Sequence, residues 1–378
     1  MTTPQRWSSA TPRYEWRGMH LDTSRHRFVV PVLLRWLERL AFFGFNRFHW
    51  HLTDDQGWRL PSRTWPRLAT VGAWRTHDHG QRYGGAYARE EIATVVARAG
   101  ELGITVVPEV DLPGHTQSVL AAYPQLGCRQ ETVPVWNQWG VSEHVLCAGR
   151  EATYDFVRDI LCEVAEMFPG PYIHIGGDEC PKTHWQACPA CQQRMRDESL
   201  DSERALQRYF TGRVCEMVRS LGKTPIGWDE TLDNGPVEGL IVTAWHGDGR
   251  EAVARAAQCD TPAILCPQQP CYFDWRQSDR PGEVGAFGVT TARDVFLWQP
   301  AAGLPPGATV LGAQGNVWSE RIATEATLTY MTMPRMAALA SVLHGDPPDW
   351  EEFMRRARQL RRHPLFKADP PWGPLEDS

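Results

Sequence analysis

The 378-residue chain has no apolar run approaching the roughly 20 residues that a membrane-crossing helix requires. Its opening stretch, Met1 to Pro12, is polar and lacks the short apolar core of a secretory leader. Those two absences point to a cytoplasmic protein, or else to the mature part of a longer secreted precursor. An excess of basic charge is missing as well. Asp and Glu number 45 against 39 Lys and Arg, for a net charge of -6, so bulk electrostatics offer no attraction to nucleic acid or to an anionic membrane. Arg355-Arg356 and Arg361-Arg362 lie in a helix-like tail and read as solvated faces. No repeat, low-complexity tract or long linker interrupts the chain, which excludes solenoids and fibres. Cys188-Pro189-Ala190-Cys191 is a C-x-x-C with Cys180 nearby, but no second C-x-x-C or C-x-x-H follows, so no zinc site is read there. Ten cysteines suit reduced thiols, although Cys128 and Cys147 flank one loop and could bridge in an oxidising compartment.

What is present is a regular alternation. Short apolar β-type runs occur at Trp16–Leu21, Asn46–Leu52, Thr105–Pro108, Tyr172–Ile175, Thr224–Gly227, Leu240–Ala244, Ala263–Leu265 and Thr309–Ala313. Between them lie amphipathic stretches, among them Val29–Phe43, Glu90–Leu102, Tyr154–Met167, Ala205–Leu221 and Gly249–Ala257. Just past nearly every candidate strand comes a polar or aromatic cluster: Asp22; Asp54-Asp55; Glu109 with Asp111 and His115; Asp178-Glu179; Trp228-Asp229-Glu230; Trp245-His246; Tyr272 with Asp274; Trp318 with Glu320. Eight strands with chemistry at one end predict an α/β fold of the (β/α)8 TIM-barrel type. The expected layout is a tail over residues 1–13, the barrel over 14–346, and a C-terminal helix (Trp350–Arg362) with a Pro-rich tail over 347–378. Tryptophan is abundant, at 17 copies, many beside carboxylates or glycine, as suits stacking on sugar faces.

The densest chemistry is at Tyr172-Ile173-His174-Ile175-Gly176-Gly177-Asp178-Glu179. A buried-strand pattern stops at two glycines and presents two adjacent carboxylates. Neighbouring carboxylates do not ionise independently, so one is suited to act as a general acid while the other stays charged. The plainer alternative is a helix N-cap followed by a first-turn Glu. Gly-Gly-Asp-Glu also occurs in nucleotide cyclases that continue with Phe, but Cys180 follows here and no separate phosphate-cradling loop is present.

The ordered set of motifs resembles the family 20 glycoside hydrolases, the β-N-acetylhexosaminidases. It runs from about Tyr14 to His344 and includes Trp16-Arg17-Gly18 with Leu21-Asp22 and Arg25-His26. His49-Trp50-His51-Leu52-Thr53-Asp54-Asp55-Gln56-Gly57-Trp58-Arg59 and Pro108-Glu109-Val110-Asp111-Leu112-Pro113-Gly114-His115 follow, then His174 to Glu179, Gly227-Trp228-Asp229-Glu230 and Asn316-Val317-Trp318-Ser319-Glu320. The resemblance implies a retaining exo-glycosidase that releases terminal β-linked N-acetylglucosamine or N-acetylgalactosamine through an oxazolinium intermediate. The substrate's own acetamido oxygen is then the nucleophile.

The resemblance also implies roles. Glu179 would be acid and then base, and Asp178 would orient the acetamide. Asp54, preferred over Asp55, would form with His115 a relay tuning Glu179. Arg17 would fork onto sugar hydroxyls, and Asp274 and Glu320 would accept from others. Tyr272 would donate to the acetamido carbonyl, and Trp228, Trp245 and Trp318 would wall the acetamide slot. Asp229 and Glu230 read as supporting, hydroxyl-binding groups, and His26 and His174 as structural. No cofactor or metal is implied. The expected partner is a β-linked N-acetylhexosaminide, with neither nucleic acid nor membrane, and a homo-oligomer is compatible.

Many relatives carry a small α+β domain ahead of the barrel, whereas about a dozen residues precede Trp16 here. The polar loops Gln130–His144 and Gln268–Val284 are candidates for a leaving-group subsite or a partner contact. Two other readings compete: a metal hydrolase using His49, His51, His115, His174 and Asp178, and a sugar-binding barrel without catalysis. Retention of both Asp178 and Glu179 argues against the second.

Overall fold

The computed structural model describes residues 7–8, 10–77, 80–367 and 370–374. Eight parallel strands close into a barrel in which each pairs with its neighbours in chain order: β1 (Trp16–Asp22), β2 (Arg47–His51), β3 (Thr105–Glu109), β4 (Tyr172–His174), β5 (Thr224–Trp228), β6 (Ile241–Ala244), β7 (Ala263–Leu265) and β8 (Val310–Gly315). β8 returns to pair with β1, Trp16 opposite Gly312 and Met19 opposite Gly315, and so leaves no sheet edge. All eight candidate runs are strands, with ends that differ from the sequence reading by at most two residues.

The principal helices are α1 (Val30–Phe43), α2 (Arg89–Glu101), α3 (Gln117–Ala122), α4 (Glu151–Met167), α5 (Pro189–Asp197), α6 (Glu203–Ser220), α7 (Arg250–Ala257), α8 (Arg335–His344) and α9 (Trp350–Leu360). α1 shows the local logic. Pro31 opens it, Gly44 closes it in the left-handed region, and Leu33, Trp36, Leu37, Leu40 and Phe43 form its buried stripe. Ser202 caps α6 by accepting from the Ala205 amide. Between β5 and β6 a single 3-10 turn, Asp229–Leu232, takes the place of a full helix.

Side-chain alternation sorts β1 into two faces. Met19 and Leu21 pack outward into the main core beneath the helices, while Trp16 joins Val107, Ile226, Ile241 and Ile264 in an apolar plug inside the barrel floor. Above that plug the barrel interior turns polar, with His20, His49, His51, Glu109, His174 and Gln314 all buried. Both flanking segments belong to the same core. Trp7 is buried against Phe43 and Phe353 and donates from its indole to Ser341 Oγ at 2.9 Å. Phe353, Met354, Ala357 and Leu360 of α9 are buried, as is Trp372. The described parts of the expected tails therefore pack onto the barrel, residues 1–6, 9, 368–369 and 375–378 lying outside the described residues, and Arg356, expected on a solvated face, lies 4.0 Å from the Trp7 ring. Among the described residues no helix is long and apolar enough to cross a membrane.

Candidate active site

The turn after β4 sets the geometry. Gly176 and Gly177 have φ of 66° and 105°, a backbone region that L side chains rarely adopt. A Cβ at Gly176 would lie 1.7 Å from Asp111 Oδ1, and the Gly177 amide donates to that same oxygen at 3.2 Å. The turn aims its two carboxylates differently. Asp178 is buried with Oδ2 3.4 Å from His115 Nε2, while Glu179, itself at a positive φ of 42°, leaves 45% of its side chain exposed. Left-handed conformations at non-glycine residues store strain and concentrate at functional sites, and His115 shares the feature with φ 52°.

His115 is the hub. Its Nδ1 lies 3.2 Å from Asp54 Oδ1 and 3.4 Å from Asp55 Oδ2, and its Nε2 lies 3.6 Å from Glu179 Oε2. Burial works against a charge on this imidazole, but Asp54 and Asp178 outweigh it and raise its pKa well above the ordinary histidine value. The two aspartates before it divide their work. Asp54 also receives Arg25 Nη2 at 2.8 Å and His51 Nε2 at 2.9 Å. Asp55 instead accepts the Gln117 amide at the start of α3 and the Ser142 amide, and so anchors the third loop.

The strand ends enclose a cavity of about 470 Å³ lined by His115, Asp178, Glu179, Trp228, Trp245, Tyr272, Asp274, Trp318 and Glu320. Nine of the eleven site residues expected from sequence thus share one cavity, and Asp54 stands directly behind His115. Trp228 and Trp318 lie with ring centroids 5.8 Å apart, and Tyr272 runs nearly parallel to Trp245 at 6.2 Å, an aromatic box. Two of these walls are fixed from behind. The Trp228 indole donates to Glu109 Oε1 at 2.9 Å, and that of Trp245 to Glu230 Oε2 at 2.9 Å. The loop carrying Tyr272 and Asp274 is gripped by buried Arg335, whose guanidinium donates to the carbonyls of Phe273, Trp275 and Thr290.

Arg17 is the correction. Its guanidinium donates to the carbonyls of Gly44 and Tyr14, on the outer face of β1 near the barrel floor, far from the strand ends. Arg25, past the C-terminal end of β1, lines the cavity in its place, paired with Asp54 and stacked 5.2 Å over the Trp318 ring. We expect Arg25→Lys to lower kcat/KM about 10–100-fold, the worth of a charge-assisted hydrogen bond. Arg17→Lys should change it less than about twofold, since nothing at the site is touched. Steady-state kinetics of both variants on one aryl glycoside checks this, and the reverse ranking would contradict the placement.

Three of the four histidines expected to compete as metal ligands, His49, His51 and His174, surround one carboxylate. Glu109 Oε2 meets His51 Nδ1 at 2.5 Å and His49 Nε2 at 3.0 Å, and Oε1 meets His174 Nδ1 at 3.0 Å besides the Trp228 indole. Each oxygen thus has a donor within the protein, His51 on Oε2 and the Trp228 indole on Oε1, while His174 Nδ1 accepts the Gly176 amide, and the carboxylate holds Trp228 in place. His26, read as structural, pairs its Nδ1 with the Ser319 carbonyl.

Burial, then Asp178 and Asp229, push Glu230 up to about 8 from its ordinary 4.5. The folded chain thus holds a proton that the unfolded chain releases between those values. The stability this contributes is complete below about pH 4.5 and is lost as pH rises towards 8. Glu230→Gln keeps an acceptor for Trp245 and should melt higher than the parent at pH 8.5 but not at pH 4. Parallel melting curves across that range would rule this out.

The loops Gln130–His144 and Gln268–Val284 both reach the cavity, the first through Trp139 and Val141 and the second through Gln268 and Trp275. Trp139 and Phe287 stand exposed at its rim.

Comparison with known proteins agrees with this architecture. The pattern described as "Glycosyl hydrolase family 20, catalytic domain" matches residues 14–345. A beta-hexosaminidase of Porphyromonas gingivalis is 38% identical over 363 residues, 94% of this chain and 46% of that protein. The chain likewise spans 56% of a beta-hexosaminidase of Vibrio furnissii at 34% identity, about half the length of both relatives. Among solved structures, a GH20 beta-N-acetylhexosaminidase from Streptomyces coelicolor superposes with a TM-score of 0.83 at 34% identity, covering 97% of this chain and 72% of that one. A mutant Streptomyces plicatus beta-hexosaminidase in complex with its product GlcNAc gives 0.83 at 33%, covering 97% and 71%. The chain belongs to glycosyl hydrolase family 20, whose catalytic domain it spans.

Proposed function

We propose that this chain is a retaining β-N-acetylhexosaminidase that removes terminal N-acetylglucosamine or N-acetylgalactosamine by substrate-assisted catalysis. One observation carries the reading. Two buried carboxylate oxygens at the cavity, Asp178 Oδ1 and Asp274 Oδ1, have no hydrogen-bond partner among the described residues, and they stand beside the aromatic box. Buried polar groups are rarely left alone, so such atoms await a polar ligand.

In this reading the acetamide lies between Trp228, Trp245 and Trp318. Asp178 Oδ1 accepts its N–H and balances the positive charge that grows there as the carbonyl oxygen attacks the anomeric carbon. Tyr272 is held protonated, its pKa raised by burial, and donates to that carbonyl oxygen. Asp274, raised well above the carboxylate range by burial and by Glu320, and Glu320 itself receive ring hydroxyls, with Arg25 forking onto the same edge. Glu179 hands its proton to the departing oxygen, then takes one from the water that opens the oxazolinium ring. The cationic imidazole of His115 steadies Asp178 throughout and faces Glu179 when the latter is a carboxylate. The leaving group exits over Trp139 and Phe287. Solved relatives carrying GlcNAc in their sites support the sugar class.

The test is a panel of p-nitrophenyl β-glycosides in the presence of EDTA. Substrates with a 2-acetamido group should turn over and their 2-hydroxy counterparts should not, and NMR should show the β anomer released first. Cleavage of the 2-hydroxy sugars at similar rates, or an α first product, would overturn the proposal.

A further inference from the structure

We infer that Cys128, Cys147, Cys188 and Cys191 form a tetrahedral thiolate site that binds one zinc ion. Four sulfurs from three separate stretches of chain meet here, all within 4.8 Å of one another. The Sγ separations are 3.7 Å for Cys128 to Cys191, 3.7 Å for Cys147 to Cys188 and 3.6 Å for Cys147 to Cys191. Thiolates about 2.3 Å from a central zinc stand about 3.8 Å apart along the edges of their tetrahedron. Two disulfides would instead give each sulfur a single bonded neighbour at about 2.05 Å. Here Cys147 and Cys191 each have two nearly equidistant sulfur neighbours, and all four cysteines are free thiols. An all-sulfur tetrahedron selects zinc over the hard cations that oxygen ligands hold.

The backbone builds the cage before any ion arrives. Gly127 and Leu146 form an antiparallel bridge, and the Cys147 amide donates to the Leu126 carbonyl at 2.9 Å, which brings Cys128 and Cys147 side by side. Opposite them, Cys188 precedes α5 and Cys191 lies within its first turn, the ordinary C-x-x-C arrangement. Gly149 lets the two halves touch, since a Cβ there would lie 2.2 Å from the Ala190 carbonyl carbon. Cys147, Cys188 and Cys191 are buried and Cys128 is half-buried, so the cluster is closed on the protein side with an entry at the surface. No substrate position is open among four thiolates, which makes the site structural. It ties the third loop, which carries His115 and Trp139, to the segment that follows Glu179.

The experiment is metal analysis of protein purified without added metal. Elemental analysis should find one zinc per chain, and the zinc should be absent from Cys147→Ser and Cys191→Ser but retained in Cys162→Ser, whose thiol lies outside the cluster. Exchange of the unmutated chain into cobalt(II) under reducing conditions should give thiolate-to-cobalt charge-transfer and tetrahedral d–d bands, a readout independent of how the variants fold. Unmutated chain without zinc that also fails to take up cobalt, or mass analysis showing two disulfides among these four residues, would overturn the assignment. None of these readouts depends on glycoside hydrolysis.

Discussion

Glu179→Gln should lower kcat by ~10²–10⁴-fold on substrates with a sugar leaving group, the usual worth of general acid–base assistance. The substitution keeps the side chain's size and the positive φ of the turn, so what changes is the proton. The loss should shrink as the leaving group improves, because a good phenolate departs with little protonation. A graded series of aryl glycosides therefore separates the acid role from mere damage. Equal losses across the series would assign Glu179 a positional part instead. The geometry favours the grading: Glu179 is the half-exposed member of the pair, open to the leaving-group side, while its neighbour is buried against His115.

Asp178→Asn should cost ~10²–10³-fold in kcat, on the scale of removing one preorganised electrostatic contact from a closed site. Here the loss should be the same for good and poor leaving groups, because what fails is the orientation and charge balance of the acetamide. Affinity for a thiazoline mimic of the cyclic intermediate should fall in parallel, as measured by inhibition constants. Unchanged affinity for that mimic would separate Asp178 from the acetamide. The contrast between the two variants is the useful quantity, since adjacent residues on one turn would respond alike to a general disturbance.

Much of this was legible in the sequence because the barrel repeats one physical pattern eight times. Apolar strand and polar cluster recur, with an amphipathic helix after most strands, and most strand ends carry residues that reach the cavity. The misplacement of Arg17 shows what a motif alone leaves out. Arg17 sits next to Trp16 near the start of β1, and a period of two sends it outward if Trp16 and His20 face in; Arg25 lies past the strand end, where the chemistry gathers. The division of labour between Asp54 and Asp55 depends on which amides fold back onto them, and no spacing encodes that. The cysteine cluster was illegible for a related reason. Its C-x-x-C half is local, but Cys128 and Cys147 come from a loop brought there only by the bridge at Gly127 and Leu146. Trp7 likewise stands in a polar leading stretch and is buried only because α1 and α9 meet around it.

The central claim is that neither carboxylate attacks the sugar and that the substrate's acetamide does. Hydrolysis of p-nitrophenyl glycosides bearing acetyl, fluoroacetyl, difluoroacetyl and trifluoroacetyl groups on the 2-amino nitrogen tests it most directly. Each fluorine weakens the carbonyl oxygen as a nucleophile while barely altering the size of the group. The account predicts a steep, monotonic fall in kcat/KM along the series. A rate indifferent to fluorination would mean that a protein carboxylate is the nucleophile, and would contradict it.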